Sequence, residues 1–412
     1  MNERGWKRLS VARRVGAGEL TVGEGAKVLG LSERQMQRVQ RRVEQMGAQG
    51  VVHGNRGHRS ARRTPERIAK KVVKAARKEY LGFNDQHLTE CLAEEEHITL
   101  SRSTVRRLLR QGGVPAVRRR RASKHRRRRD RKAQAGMMIL WDGSRHAWLE
   151  DRGPMLCLIG AVDDATGELL PGAHFEAQET SAGYLGVLRA IVQEKGIPLA
   201  AYGDQHAALK RNDDHWTLEE ELRGEQDPTH VGRALKALEI ERIDALSPQA
   251  KGRVERLWGT LQDRLVSELR RAGARTCAEA NVVLSRYVPR HNRRFAIAPK
   301  ETTPAWRSVR PGLDVVRICA FHYLATVLND NTVRLQGQTI DIPPGPSARG
   351  YAKKHVDVVQ ILEGSWRVYW NQTLIATAAG STGEVRALPR KKRSATDRAF
   401  GRAIQRIAVS LP

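Results

Sequence analysis

Met137-Met138-Ile139-Leu140-Trp141-Asp142 is a short apolar run closed by an acid. Its length suits one buried strand, and its neighbours decide the fold. Residues 155–163 form a second apolar strand. The string Asp163-Asp164-Ala165-Thr166-Gly167 then has turn chemistry, and both aspartates read as turn residues. A third strand near 168–175 completes an antiparallel meander. Tyr184, Leu185, Leu188, Ile191 and Val192 recur at helical spacing. Pro198 to Tyr202 reads as a fourth strand, with Asp204 just past its end. A helix near 230–238 and a strand at Ile240–Ile243 follow. After Pro248 a long helix, roughly 249–272, buries Val254, Leu257, Leu261, Leu265 and Leu269 on one face. The order β-β-β-α-β-α-β-α predicts a mixed α/β sheet with helices on its faces. Its first and fourth strands can lie side by side. Asp142 and Asp204 would then project from neighbouring strand ends, and Glu255 would approach from the first turns of the closing helix.

Before this core the chain is helical and rich in arginine. Thr21 can cap a short helix carrying Val22, Ala26, Val28 and Leu29, and Gly30 supplies the turn. Ser32, with Gln35 three residues on, has the form of a capping box for a second helix. Met36, Val39 and Val43 mark its inner side; Arg34, Gln37, Arg38 and Arg41 mark its outer side. This fits a helix-turn-helix whose outer residues touch DNA, with an ordinary helical hairpin as the alternative. A second module begins at Thr64-Pro65 and has helices near 65–79, 84–95 and 101–111. The last places Val105, Leu108 and Leu109 inside and Arg102, Arg106, Arg107 and Arg110 outside. It reads as a second DNA-binding helix or as a solvated basic face.

Between module and core, Arg118–Arg121 and Arg126–Arg129 repeat the same charge. Arg118, Arg119, Arg120, Arg126 and Arg127 are expected to meet phosphate, which adds salt-sensitive affinity without reading sequence. After Pro304 and Trp306 come short strands with Gly, Asn and Asp turns: Tyr323–Leu328, Thr332–Leu335, Gln338–Ile342, His355–Ile361, Trp366–Trp370 and Thr373–Ala378. They predict a small C-terminal β-barrel, followed by a basic tail containing Arg390-Lys391-Lys392-Arg393.

Bulk composition agrees. The 412 residues carry 73 Lys and Arg against 45 Asp and Glu, a formal charge of +28 that favours a polyanionic partner. Charge alone would also suit a ribosomal or membrane-surface protein. No apolar run is long enough to span a bilayer, so no membrane partner is expected. Met1 to Ser10 lacks the apolar stretch of a signal peptide. The cysteines Cys91, Cys157, Cys277 and Cys319 form no C-x-x-C pair. They suit a reducing cytoplasm and argue against structural zinc.

Three carboxylates brought to one place have a specific use. Oxygen ligands suit magnesium, and two such ions can hold the attacking and leaving oxygens of a phosphodiester displacement. Asp142 would bridge both ions, while Asp204 and Glu255 would each hold one. The acids at 213, 214 and 219–221 are competing candidates and read instead as a solvated insertion over about 207–228.

At this point the chain resembles a family. Trp141-Asp142-Gly143-Ser144 with His146 and Trp148, Tyr202-Gly203-Asp204-Gln205-His206, and Ser247-Pro248-Gln249-Ala250-Lys251-Gly252-Arg253-Val254-Glu255-Arg256 look like the three acidic motifs of bacterial insertion-sequence transposases. Those enzymes belong to the retroviral integrase superfamily, and the likeness is greatest to the ISNCY-type group. His291-Asn292-Arg293-Arg294-Phe295 also fits its pattern. The resemblance implies a ribonuclease-H-like core with Asp142, Asp204 and Glu255 as catalytic metal ligands. It implies two Mg2+ or Mn2+ ions per site, and cleavage of transposon ends followed by strand transfer. The gap between Asp204 and Glu255 is longer than in retroviral integrases.

The implied organisation is a helix-turn-helix domain at 1–60, a second helical domain at 61–115, and a basic linker at 116–135. The catalytic core takes 136–300, the small barrel 301–385 and the basic tail 386–412. The implied partners are double-stranded DNA, as transposon ends and target, and at least one further copy of the chain. The implied place is the bacterial cytoplasm, at the nucleoid. Lys251 either meets a phosphate or pairs with Glu255 one helical turn on. Arg253 and Arg256 flank the acids as DNA contacts. His206 assists a proton, binds phosphate or is structural; His146 and Trp148 stand near enough in sequence to touch DNA. Two other functions use the same features: a non-catalytic DNA-binding regulator, and a nuclease that cuts without joining.

Overall fold

A computed structural model describes residues 3–53, 63–117, 129–211, 216–244, 252–335, 337–346, 349–380 and 385–388. The arginines at 118–128, the segment Ser247–Lys251, Asp213, Asp214 and the tail beyond 388 lie outside the described residues, as does the Glu219 side chain. The chain divides into two compact units, Met1–Lys71 and Val72–Pro412.

The first unit holds α1 (Glu3–Gly16), α2 (Val22–Leu29) and α3 (Glu33–Met46). Both expected helix starts are built as read. Thr21 and Glu24 form one capping box, Ser32 and Gln35 another; a cap of this kind contributes about 1 kcal/mol. Gly30 ends α2 at φ +60°, a backbone shape that glycine adopts without a Cβ clash. Leu9, Ala12 and Val15 of α1 join Ala26, Met36, Val39 and Val43 in one core. Three helices thus share the burial expected of two. The signal for α1 was the spacing of Leu9, Ala12 and Val15, masked by the polar residues around them.

The second unit opens with most of α4 (Glu66–Arg77), then α5 (Asp85–Glu94) and α6 (Arg102–Gln111). It continues with β1 (Ile139–His146), β2 (Leu156–Asp163), β3 (His174–Glu176), α7 (Ser181–Glu194), β4 (Ala200–Gly203), α8 (Leu218–Arg223), α9 (His230–Ala237), β5 (Glu241–Asp244), α10 (Gly252–Arg271) and α11 (Cys277–Phe295). One mixed sheet runs β3-β2-β1-β4-β5, antiparallel from β3 to β1 and parallel from β1 to β5. Side chains alternate across it. Ile139 and Trp141 enter a core with α7 and α9; Met138 and Leu140 enter the opposite core with α10 and α11. The five apolar residues expected on the inner face of α10 are all buried.

Two elements differ from expectation. β1 does not stop at Asp142; it pairs with β2 over all its length to His146, so Asp142 lies within the strand. The third strand shrinks to His174–Glu176, with one isolated bridge from Val162 to Leu169. Between them Pro171-Gly172 turns the chain, Gly172 at φ +83° against Val187 and Ala190 of α7. The exposed side of this edge is closed by α11 rather than by more strand. Asn292 accepts from the Leu169 amide at 2.9 Å and donates to its carbonyl at 2.8 Å, and Asn281 does the same for Phe175 at 2.7 and 3.1 Å.

The second helical module is docked onto the core. Along one side of α10 and α11, Asn84 donates to Asp263 at 2.6 Å, Arg264 and Arg294 both reach Glu90 at 2.6 Å, and His87 meets Glu268 at 2.9 Å. Arg271 pairs with Glu95 and lies over the Tyr80 ring at 4.6 Å.

After α12 (Val315–Ile318) the chain forms β6 (Phe321–Thr326), β7 (Thr332–Leu335), β8 (Gln338–Asp341), β9 (His355–Gln360), β10 (Trp366–Trp370) and β11 (Thr373–Ala378). All six expected strands are present, but no closed barrel is found among the described residues. Among the described residues β11-β10-β9-β6 is an open antiparallel sheet, and β7-β8 is a separate hairpin. The hairpin buries Val333 and Ile340 against Val356, Val358, Trp366 and Val368. It packs over the sheet's face and lies beside both edge strands, β6 and β11, with no ladder joining them among the described residues. No described helix is long and apolar enough to cross a membrane.

Candidate active site

β1 pairs with β4 at Ile139–Ala201 and Leu140–Tyr202. Carried two residues past those pairs, the same register would set Asp142 level with Asp204, the residue that follows the end of β4. Met138 and Leu140 pack toward α10, and Asp142 emerges on that face. Parallel pairing stops at this point while β1 continues along β2. The two acids therefore sit where the sheet splits, which is where loops leave room for a ligand.

α10 reaches the same place. Trp258 donates from Nε1 to Asp142 Oδ2 at 3.2 Å. The β2 partner of Asp142 is Gly160, and a Cβ there would stand 3.3 Å from the Trp258 ring. The missing side chain lets the indole lie over β2. Glu255 stands in the first turn of α10, three residues before Trp258, and is exposed. The structure does not bring Glu255 into a ligand set with the two aspartates. Among the described residues the one group of His, Cys, Asp or Glu close enough to share an ion is His87, Cys91 and Glu268. That group is an ion-paired seam: Glu268 also takes Arg290 at 2.5 Å, and burial pushes the Cys91 thiol up to about 12, so it stays protonated.

One acid near the site was not singled out from the sequence. Glu179, just before α7, accepts from the Tyr184 hydroxyl at 2.5 Å and meets His206 Nδ1 at 3.4 Å. A Cβ on Gly143 would overlap its carboxylate. Burial raises the Glu179 carboxyl above its usual range; Tyr184 and His206 oppose this, and the charges of Asp142 and Asp204 add to it. Asp204 Oδ1 in turn accepts from the His206 amide at 3.0 Å. The only sequence signal for Glu179 was its position, beside the cap residue Thr180.

Other expected site residues have structural work. Asp163 accepts from the Gly136 amide at 2.7 Å and from Thr166, as a turn residue does. Asp164 is more than a turn residue. Its side chain is fully buried and takes Arg129 at 2.6 Å, the Lys132 amide at 2.8 Å, and Arg253. Arg253 thus turns toward Asp164 and the Arg129 carbonyl, anchoring the start of α10. Arg256 is exposed beside it. Trp148 is fully buried, donating to the Ser144 carbonyl at 3.0 Å between His146 and Phe175, so it is core. In the insertion, Glu220 is buried against Arg211 rather than solvated. Arg34, Gln37, Arg38 and Arg41 are exposed along one face of α3, and Arg102, Arg106 and Arg107 along α6. Arg110 instead pairs with Asp85 at 2.7 Å.

No family model matches the chain. Among curated proteins it is 33% identical over 374 residues to “Putative transposase y4bF” of Sinorhizobium fredii, covering 90% of this chain and 79% of that one. It is 34% identical over 333 residues to the transposase for insertion sequence IS1202 of Streptococcus pneumoniae, covering 72% and 69%. Among solved structures, the integrase catalytic core domain of HTLV-2 in complex with magnesium covers 37% of this chain and 85% of its own, at 17% identity and a TM-score of 0.26, a likeness too slight to argue from. The two transposases match the chain over most of their own length, and on that likeness it belongs to the insertion-sequence transposases.

Proposed function

We propose that this transposase binds the terminal inverted repeats of its element, cleaves the ends by metal-dependent hydrolysis, and joins the 3′-hydroxyl ends to target DNA by transesterification. The observation that carries the reading is β1, which holds Asp142, paired in parallel with β4, which Asp204 follows directly, with Trp258 of α10 bonded to Asp142. A ribonuclease-H-like core would use its acids at this place.

The donor set suits a hard cation, since Asp142 in β1 and Asp204 just after β4 offer carboxylate oxygens at the end of two paired strands. Asp142, Asp204 and Glu255 would together hold the Mg2+ or Mn2+ ions, two per site. Bound there, the ions would lower the pKa of the attacking water or 3′-hydroxyl and neutralise the leaving oxygen. Trp258 and the His206 amide fix the carboxylates. Glu255 stands one turn from Trp258 on a helix already held to Asp142, and its exposed side chain would turn toward the pair. Lys251 and Arg256 adjoin that turn and would meet phosphate. α2 and α3 would read the repeats through Arg34, Gln37, Arg38 and Arg41. Joining two ends needs two active sites, hence at least a dimer on DNA.

The test is to incubate the protein with labelled element-end DNA and magnesium, beside Asp142→Asn. Nicking and joined product from the intact chain alone support the reading. Nicking without joining leaves a nuclease; no nicking leaves a DNA-binding regulator.

A further inference from the structure

The second helical module has two sides of opposite use. Its α5 side is consumed by the seam with α10 and α11. Glu90 takes Arg264 and Arg294, both at 2.6 Å, and Glu268 takes His87 and Arg290. Asn84 holds Asp263, Ser267 donates to the Gly82 carbonyl at 3.2 Å, and Arg271 pairs with Glu95. Several of these charges are almost fully withdrawn from water, such as Arg264 at 10% and Glu90 at 12% side-chain exposure. Breaking one partner of such a pair is costly, so the seam holds α5 at one position.

The α6 side is the reverse. Val105, Leu108 and Leu109 are buried, which turns Arg102, Arg106 and Arg107 outward. Among the described residues none of these three shows an ion pair. Arg110, on the same helix, does find one in Asp85. The cavity between the elements, about 350 Å³, is lined by Arg102 and Arg110 together with Asp263 and Arg264 of α10. The first turn of α6 and the middle of α10 therefore border one space. Asp263 is eight residues beyond Glu255, about 12 Å along the helix at 1.5 Å per residue.

We infer that the arginine face of α6 grips the phosphate backbone of the same DNA end on which the carboxylates act, at a spacing fixed by the α5 seam. This rests on the transposase reaction proposed above. Three outward guanidinium groups on one helix face match a phosphate backbone in charge and geometry. Such contacts carry no base sequence; they set position. Because the helix is seamed to α10, the grip and the chemistry share one rigid frame. The distance from gripped phosphates to the terminal base pair is then a property of the protein, not of the DNA sequence.

The experiment uses the full chain without divalent cation, so that no end is cut. The probes are duplexes matching the two ends of its element, each with single methylphosphonate substitutions. The expected result is a short group of sensitive phosphates at the same spacing from the terminal base pair in both ends. In Arg106→Ala/Arg107→Ala that sensitivity disappears, and the slope of log affinity against log salt falls by about two. Both residues are exposed, so the variant's melting temperature should match the native value. An unchanged map and slope in the double variant, or a spacing that differs between the ends, overturns the inference. Failure of the native chain to nick with magnesium would remove the proposed reaction but leave these maps readable.

Discussion

Trp258 donates its indole N–H to Asp142 across the one position in β2, Gly160, that has no side chain to block it. The bond joins the closing helix to the central strand at the acid itself. It fixes one carboxylate oxygen and so orients the other. Trp258→Phe keeps most of the ring's packing and removes the donor. Loss of an outer partner of a metal ligand typically lowers affinity or activity by about 10- to 100-fold. End cleavage by Trp258→Phe should fall by that factor, with a urea midpoint close to native. Cleavage at the native rate would show that the bond does not matter to Asp142.

Asp164 is a fully buried carboxylate between two guanidinium groups, from Arg129 at the end of the basic run and Arg253 at the start of α10. Burial would raise its carboxyl; Arg129, the Lys132 amide and Arg253 outweigh that and hold it below the ordinary range. A depressed carboxylate contributes stability at pH above its unfolded value of about 3.9, and that stability is lost as pH falls through the lower folded value. Asp164→Asn leaves the mostly buried Arg253 without its carboxylate, while the half-exposed Arg129 returns to water, and should destabilise the second unit by about 3 kcal/mol near neutral pH. Chemical denaturation of native and variant protein measures it. The two curves should converge in acid, below the native carboxyl's range.

Much of this was legible beforehand because it rests on period and punctuation. The apolar face of α10, the Thr21 cap of α2 and the Ser32–Gln35 capping box of α3 are local patterns, and each is built as read. What escaped was long-range. Arg253 looks like a DNA contact until Asp164, far away in sequence, is seen beneath it. Glu179 is one acid among many until folding sets it behind Asp142. The basic module hid its docking because Glu90, Glu95 and Glu268 find their partners only across helices. Barrel closure was not legible for a similar reason. Strand content was right, but closure depends on edge pairing that no single strand encodes.

His291 lies between Tyr287 and Phe295 on α11, 2% exposed, and neither ring nitrogen has a hydrogen-bond partner. Burial, with the Arg264 charge adding to it, lowers its pKa to about 4. The folded chain thus keeps this ring neutral, while the unfolded chain takes up a proton near pH 6.5. Stability from this group is full above pH 6.5 and is lost as pH falls toward 4, by on the order of 3 kcal/mol. His291→Phe fits the aromatic stack and removes two buried unpaired nitrogens, so it should match or exceed native stability at pH 7. Its unfolding free energy should decline less than the native value does from pH 6.5 to 4.5. Equal slopes for the two proteins would place the titrating group elsewhere.

The outer face of α3 offers a test of recognition separate from chemistry. Arg34 and Arg38 lie one turn apart and are exposed, while Met36, Val39 and Val43 hold the helix in its core. A helix that reads base edges should lose discrimination when these side chains are shortened; a helix that meets only phosphate should lose affinity for every duplex alike. Arg34→Ala/Arg38→Ala leaves the apolar side of α3 untouched, so circular dichroism should not change. Binding to element-end DNA is expected to weaken by about 1–3 kcal/mol for each base edge no longer reached, with little change toward unrelated duplex at the same salt. Competition between the two duplexes measures the ratio directly. If both affinities fall together, α3 is a backbone clamp, and reading of the repeats belongs to another element.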